Sequence, residues 1–384
     1  MRHDTNEKRE AIRKLGKFVK KLVDETEKGD KELQKIWRKK NERFIERCFN
    51  YKRKEGMPSI TNLVRPFFHP TLPLVGLNYS PLAHNVLHRF PEGWTLPLRL
   101  CRGAIFNWNG ILIGLPFEKF FNYGEHPETT NLPNEPSVAT LKHDGHLGII
   151  FWFQHKLVLT TRGSFVSPSS ILGTKMLMGY AKKHRWTMEG ISPNFPKELT
   201  LLVEMIHPHT KVHVDYKKQK GFILIGSQNR ETLEDLSYDQ LQKLGKDLHL
   251  PVSEQWSGHS IQELRQFMND MSVQNREGYV VRFQGGLRVK FKFATYINRM
   301  VEAKLDYSYL MNRIMSGNLQ KMIGKLEEEI LAKANSMVAD LMRAKKIPGS
   351  EKEKREYLYN LVPKEKQTSG YKAKCRKFLN AIQK

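Results

Sequence analysis

Cysteine is scarce: Cys48, Cys101 and Cys375 are the three in 384 residues, and they stand far apart. An odd, dispersed set supports neither a disulfide framework nor a paired zinc site, which excludes a small stapled scaffold and predicts a reducing compartment. Long apolar runs are missing as well. The longest, Leu147 to Phe153, falls far short of the roughly 18 to 20 residues a membrane span needs. The opening MRHDTNEKRE carries charges and no apolar stretch of a secretory leader. These shortages predict a soluble intracellular protein, cytoplasmic or, in a eukaryote, nuclear, with no membrane partner. Acid is short relative to base: 40 Asp plus Glu face 64 Lys plus Arg, a formal net charge of +24. That surplus points to a polyanionic partner, of which nucleic acid is the commonest. What is present suffices for a folded interior, since 39% of the residues are hydrophobic and the length allows two or three domains.

The positive charge is unevenly spread. Residues 1–60 carry 19 Lys or Arg against 11 Asp or Glu, residues 301–384 carry 18 against 10, and each flank therefore has the same net +8 as the 240 residues between them. The flanks are candidates for a phosphate backbone, with solvated helical faces as the competing reading. Ile12, Leu15, Phe18, Val19, Leu22 and Val23 recur at helical spacing, Gly29 interrupts, and Leu33, Ile36 and Trp37 resume a shorter stripe, so 1–56 reads as a basic extension of two amphipathic helices. Six prolines between Pro58 and Pro91 make 57–97 an irregular, aromatic-rich connector packed on the core. From 98 to 296 short β-like runs alternate with helical patches, among them Gly148–Phe153, Lys156–Thr160, Leu199–Met205, Gly221–Ile225 and Tyr279–Phe283. That mixture predicts an α+β domain of mainly antiparallel sheets with helices. Residues 297–384 read as basic and all-helical, with Ile323, Leu326, Ile330, Leu331, Ala334, Val338 and Leu341 forming one stripe up to Pro348.

Two segments carry chemistry. In Leu141-Lys142-His143-Asp144-Gly145-His146-Leu147 a lysine sits in a polar turn just before the apolar run. A lysine attacks only when deprotonated, which needs desolvation or neighbouring positive charge. In Arg288-Val289-Lys290-Phe291-Lys292 cations alternate with apolar residues, so a strand points all three to one face, suited to a polyphosphate.

Five further segments set these two in an ordered series. Cys101-Arg102-Gly103-Ala104-Ile105-Phe106, Phe117-Glu118-Lys119-Phe120-Phe121-Asn122, Lys142 to Gly145, Thr161-Arg162-Gly163-Ser164, Val203-Glu204-Met205, Arg276-Glu277-Gly278-Tyr279-Val280 and Lys290-Phe291-Lys292 follow one another along the chain. The set resembles the phage-type ATP-dependent RNA ligases of the covalent nucleotidyltransferase superfamily, over roughly residues 98–296. Arg162 departs from the family pattern, which usually has lysine there, and the change alters donor geometry while keeping charge.

The resemblance implies an adenylyltransferase domain and an enzyme that joins RNA 3′-hydroxyl and 5′-phosphate ends, in RNA or tRNA repair or splicing. It implies that Lys142 attacks ATP and carries AMP, that Lys290 and Lys292 neutralise the α-phosphate, and that Glu277 is catalytic and a ligand to Mg²⁺, or Mn²⁺, directly or through water. Glu204 is implied as a second metal ligand through water and, with Arg102, as a contact to ribose or phosphates. Lys119 is implied at the ATP phosphates or ribose, Asp144 and Gly145 at the nucleophile turn, and Arg162 and Gly278 at the nucleotide. Phe121 or Phe222 stacks on adenine, or else packs in the core. The implied partners are ATP and RNA with structured or broken tRNA-like ends.

Other features take plainer readings. His207, His209 and His213 surround a proline without a completing ligand set and read as a metal-free loop. Trp108 and Trp152 read as packed hydrophobes, and nothing beyond proximity gives His143 or His146 a proton-transfer role. DNA ligases and capping enzymes share the lysine and the later motifs, but normally continue into an oligonucleotide-binding barrel, and the helical pattern of 301–384 disfavours that branch. A non-catalytic RNA-binding protein on the same fold is the third alternative.

Overall fold

The computed structural model describes residues 4–27, 30–184, 196–209, 212–258, 260–323, 326 and 328–383. Within Met1–Phe293, twelve strands of the described residues assemble three four-stranded sheets. The first runs β1 (Val64–Phe68), β2 (Leu74–Tyr79), β3 (Arg102–Asn107), β4 (Leu112–Gly114), antiparallel throughout. The chain continues through β5 (Phe121–Asn122), β6 (Ser137–Lys142), β7 (His146–Phe153), β8 (Lys156–Thr160), β9 (Leu199–Ile206), β10 (Gly221–Asn229), β11 (Gly278–Phe283) and β12 (Arg288–Lys292). The central strands β2, β3, β7 and β9 are buried along most of their length, whereas burial alternates along β12. The second sheet has the order β10-β9-β7-β8 and is antiparallel; the third has the order β5-β12-β11-β6, with β5 alone parallel to its neighbour. The α+β class with mainly antiparallel sheets is the one the sequence pattern predicts.

The second sheet is covered differently on its two faces. Leu201, Val203, Met205, Phe222 and Leu224 pack against Leu177 of the helix Pro168–Lys183 and Leu241 and Leu244 of the helix Tyr238–Asp247. Each of these helices starts on a serine cap, Ser167 and Ser237, whose side chain accepts from an amide of the first turn. The opposite face meets Ile105, Phe117, Phe120, Phe165 and Val280 through Ile149, Phe151 and Leu202. Candidate site residues come from this second face, from the third sheet and, with Arg102, from the first sheet.

The segment 57–97 is more regular than its prolines suggest. It contributes β1 and β2, and β2 pairs with β3, so it is part of the first sheet. Its prolines take the places that tolerate a missing amide: Pro81 and Pro97 open short helices and Pro66 lies in the edge strand β1. The N-terminal flank folds as three helices, Thr5–Asp24, Lys31–Lys40 and Glu42–Cys48; Gly29 lies outside the described residues. Leu15, Phe18, Val19 and Leu22 share one core with Ile60, Leu63, Val75, Leu77 and Phe106, so these helices complete the first sheet. Trp152 is buried in β7, whereas Trp108 is exposed at the β3–β4 turn, a correction to its reading as a packed hydrophobe.

The unit Ala294–Lys384 is helical in its described residues. The stripe read as one helix is divided between Leu319–Ile323 and Glu328–Arg343. Leu310, Met311, Ile330, Ala334, Leu341, Leu358, Cys375 and Phe378 are buried. Tyrosine hydroxyls staple the helices: Tyr307 donates to Asp340 at 3.0 Å, and Tyr371 to the Leu358 carbonyl at 2.8 Å.

Candidate active site

Register lines up the lysines. Lys142, the last residue of β6, pairs with Gly278 of β11, which pairs in turn with Lys292 of β12. The middle position must be glycine, because a Cβ there would run into the Phe291 carbonyl and lie 2.8 Å from the Lys292 Cα. Glu277, one residue earlier, reaches between the two lysines. Its Oε1 lies 2.6 Å from Lys142 Nζ and 3.2 Å from Lys292 Nζ, and its side chain is 4% exposed. Lys290 shares the face of Lys292 by strand alternation. Its ammonium lies 5.1 Å from the centre of the Phe120 ring, which also carries the Arg102 guanidinium at 5.3 Å.

The turn after Lys142 is held from both sides. Gly145 donates its amide to Glu204 Oε1 at 3.0 Å, and the Asp144 amide donates to the Tyr216 hydroxyl at 2.8 Å. Asp144 Oδ2 accepts from the amides of His213 and Val214 at 2.6 and 2.9 Å. Its carboxylate thus ties the 213–216 loop to the turn after Lys142. Burial pushes the His143 imidazole down to about 4, with Lys142 adding to the effect, so His143 is neutral at physiological pH.

Burial pushes Glu204 up to about 8, the Glu277 and Asp144 charges adding to it while Lys142 and the Gly145 amide oppose. Between the ordinary carboxyl value and about 8 the folded state holds a proton that the unfolded chain has lost, so stability falls as pH rises through that window. We expect Glu204→Gln to remove a slope on the order of 1 kcal/mol per pH unit. Urea midpoints at pH 5 to 8 check it; a slope unchanged in the variant would overturn the assignment.

The residues fit a nucleotide triphosphate and a hard cation. Arg102 Nη1 is buried with no hydrogen-bond partner, a donor waiting for an anion. Burial lowers the Arg102 pKa, with Tyr79 and Glu204 opposing. Among the described residues no group of three or more His, Cys, Asp or Glu converges on a metal-sized space. Glu277 and Glu204 are the carboxylates beside Lys142, and a hard divalent cation bound there would complete its shell with water and phosphate oxygens.

The remaining expected residues are distributed differently. Arg162, exposed in the turn after β8, donates to the Tyr79 hydroxyl at 3.2 Å. Lys119 is 1% exposed, with its ammonium 4.2 Å from the Phe121 ring centre and 3.3 Å from the Phe120 carbonyl. Phe121 does not share the face of Lys290 and Lys292: it is registered with Val289, on the opposite face of β12, and stacks on His126 at 4.2 Å. Phe222 is likewise turned away, registered with Met205 and buried in the core beneath the helices, while its neighbour Ile223 shares the face of Glu204. Strand alternation is the reason in both cases, and neither ring is placed to stack on adenine. Arg288, the third cation of its strand, pairs with Asp235 at 2.8 Å and covers the Phe117 ring at 3.9 Å. Sequence reasoning passed over Phe120, Tyr79, Asp235 and the 213–216 loop. Phe120 had a signal, lying between Lys119 and Phe121 in an already marked segment; Tyr79 and Asp235 meet their arginines only through folding.

The RNA ligase family profile matches residues 100–297, just over half of the chain. A curated protein of Thermovibrio ammonificans assigned as an RNA ligase is 29% identical over 152 residues, 38% of this chain and 39% of that relative. The chain thus aligns with about two-fifths of the curated relative's length. The solved structure of an archaeal ATP-dependent RNA ligase, form 1, aligns with a TM-score of 0.45 at 16% identity, over 79% of this chain and 84% of that one. A protein of Aquifex aeolicus assigned as an ATP-dependent DNA ligase aligns with a TM-score of 0.44 at 14% identity, over 78% and 84%. No described helix is long and apolar enough to cross a membrane. With residues 100–297 matched, a stretch that holds Lys142, Glu204, Glu277, Lys290 and Lys292, the chain belongs to the RNA ligase family.

Proposed function

We propose that this protein is an ATP-dependent RNA ligase that works through a lysyl-AMP intermediate. The observation that carries the reading is the convergence of Lys142 and Lys292 on one buried oxygen of Glu277, at 2.6 and 3.2 Å. A lysine nucleophile must shed a proton before it attacks, and Glu277 is within reach to take it. The Lys142 nitrogen then attacks the α-phosphorus of ATP. A P–N bond forms, the bond to the β-phosphate oxygen breaks, and pyrophosphate leaves with that electron pair. Lys290 and Lys292 neutralise the non-bridging oxygens, on which charge develops in the transition state.

In the second step an oxygen of an RNA 5′-phosphate attacks the same phosphorus, and the Lys142 amine departs, recovering a proton. The RNA 3′-hydroxyl then attacks the activated 5′-phosphate, losing its proton, and AMP leaves. Arg102 and Arg162 hold phosphate oxygens, and Gly145 and Gly278 keep the backbone close to the nucleotide. The two flanks, each with net +8, suit a structured RNA with broken, tRNA-like ends, as in tRNA repair or splicing.

The test is transfer of label from α-labelled ATP to the purified, metal-loaded protein, with GTP as competitor. Label with ATP that excess GTP does not suppress, and that added pyrophosphate removes, is the expected result. No label on folded protein whose intact mass shows no prior adenylate would overturn the reading.

A further inference from the structure

We propose that Tyr79, from a segment outside the matched residues 100–297, is a positioning residue that pins Arg162 beside Arg102 and so builds a paired-guanidinium site for a phosphate group. The inference rests on the RNA ligase reading for the identity of the phosphate, and on geometry for the site itself. Tyr79 ends β2, and its amide donates to the Cys101 carbonyl at 2.7 Å while Asn78 is registered with Arg102. The first sheet thus delivers the tyrosine next to Arg102 by main-chain pairing. Arg162 arrives from the other side, in the turn after β8. Gly103, at φ +100°, makes room for it: a Cβ there would lie 3.2 Å from the Arg162 Cα.

The tyrosine meets Arg162 in two ways. Its hydroxyl accepts a hydrogen bond from Nη1 at 3.2 Å, and its ring centre lies 5.2 Å from the guanidinium carbon. The ring itself is rigid, 3% exposed and held edge-on by His84 at 4.9 Å and Trp94 at 5.2 Å. A fixed aromatic platform with a hydroxyl suits a planar guanidinium, which can both stack and donate; a lysine ammonium in its place would lose the planar fit. Tyr79 also engages Arg102.

Two guanidiniums so close repel one another, and the Arg162 charge acts on Arg102 in that sense. Arg102 Nη1 is buried and has no hydrogen-bond partner. An anion with several oxygens relieves both conditions, since guanidinium pairs bind phosphate through parallel donors. The phosphate is either that of ATP or the 5′-phosphate of the RNA, and the two sources are separable.

The experiment compares the unmodified protein, Tyr79→Phe, Arg162→Lys and the double variant. Tyr79→Phe keeps the ring in its packing and removes the hydroxyl alone. Dissociation constants are measured in metal-free buffer for ATP, for 5′-phosphorylated RNA and for the same RNA with a 5′-hydroxyl. KM and kcat for AMP transfer and the thermal midpoint are followed in parallel. We expect about tenfold weaker binding of one phosphate ligand in each single variant, a raised KM with kcat little changed if that ligand is ATP, and an unchanged thermal midpoint. The double variant should be no weaker than the weaker single, as for two groups acting through one contact. A loss confined to ATP assigns the site to its phosphates; a loss confined to the 5′-phosphorylated RNA assigns it to the acceptor end. Unchanged affinity for both ligands, or single effects that multiply in the double variant, overturns the proposal. If the unmodified protein transfers no AMP yet the binding pattern holds, the ligase reading fails and the Tyr79 site stands.

Discussion

Lys142→Ala abolishes the transfer of AMP from ATP to the protein and leaves RNA affinity largely intact. The variant loses the amine together with the three methylenes that carry it. Glu277 keeps Lys292 at 3.2 Å, so no buried carboxylate is stranded, the condition under which removing one partner of an ion pair becomes strongly destabilising. The sheet register that holds β6, β11 and β12 together is made of main-chain bonds and does not depend on the side chain. Label from α-labelled ATP, intact mass and RNA retention on filters measure the two halves of the prediction. Sealing of RNA already bearing a 5′-adenylate should persist, because that step bypasses the lysine. Label on the variant at the level of the unmodified protein would reject Lys142 as the nucleophile.

Glu277→Gln is expected to slow AMP transfer at least about 100-fold, the lower range of what a positioned proton acceptor contributes, and to destabilise the fold by about 3 kcal/mol. The two effects have one origin. The amide keeps the shape of the side chain but leaves two ammoniums facing each other without the negative charge between them. Lys142, 23% exposed, can turn towards solvent; Lys292, 8% exposed, cannot do so readily and bears most of the cost. Single-turnover label transfer and urea midpoints read the two effects separately. Rates and midpoints equal to those of the unmodified protein would remove Glu277 from the proton-transfer role and from the pair.

Much of the site was legible before folding. Lys142 stands in a polar turn ahead of an apolar run, and Lys290 and Lys292 alternate with apolar residues, so their shared face follows from the two-residue period of a strand. Glu204 and Glu277 belong to segments whose residue types match the same family. The aromatic assignments were not legible in this way. Phe121 and Phe222 each sit one residue from a position facing the catalytic groups, and a strand reverses the face at each step. Asp144 was marked because it follows Lys142 by two residues, yet its carboxylate serves the amides of His213 and Val214, about 70 residues away along the chain. The segment 57–97 read as irregular because proline density reports lost amide donors and is silent about edge strands, which do without some of them.

By itself the sequence determined the class of fold and the family resemblance. Residue type, charge and hydrophobic period are local properties, and they suffice to mark a cationic strand face and a domain of sheets with helices; the nucleophile role of Lys142 came only from the resemblance of the ordered segments to RNA ligases. The tertiary structure alone decided which groups meet. Pairing of β6, β11 and β12 brings Lys142 and Lys292 to one oxygen of Glu277, pairing of β2 with β3 carries Tyr79 to the arginines, and register against β9 turns Phe222 into the core. Such meetings join residues far apart in the chain, and they depend on strand order and register, which no single segment encodes.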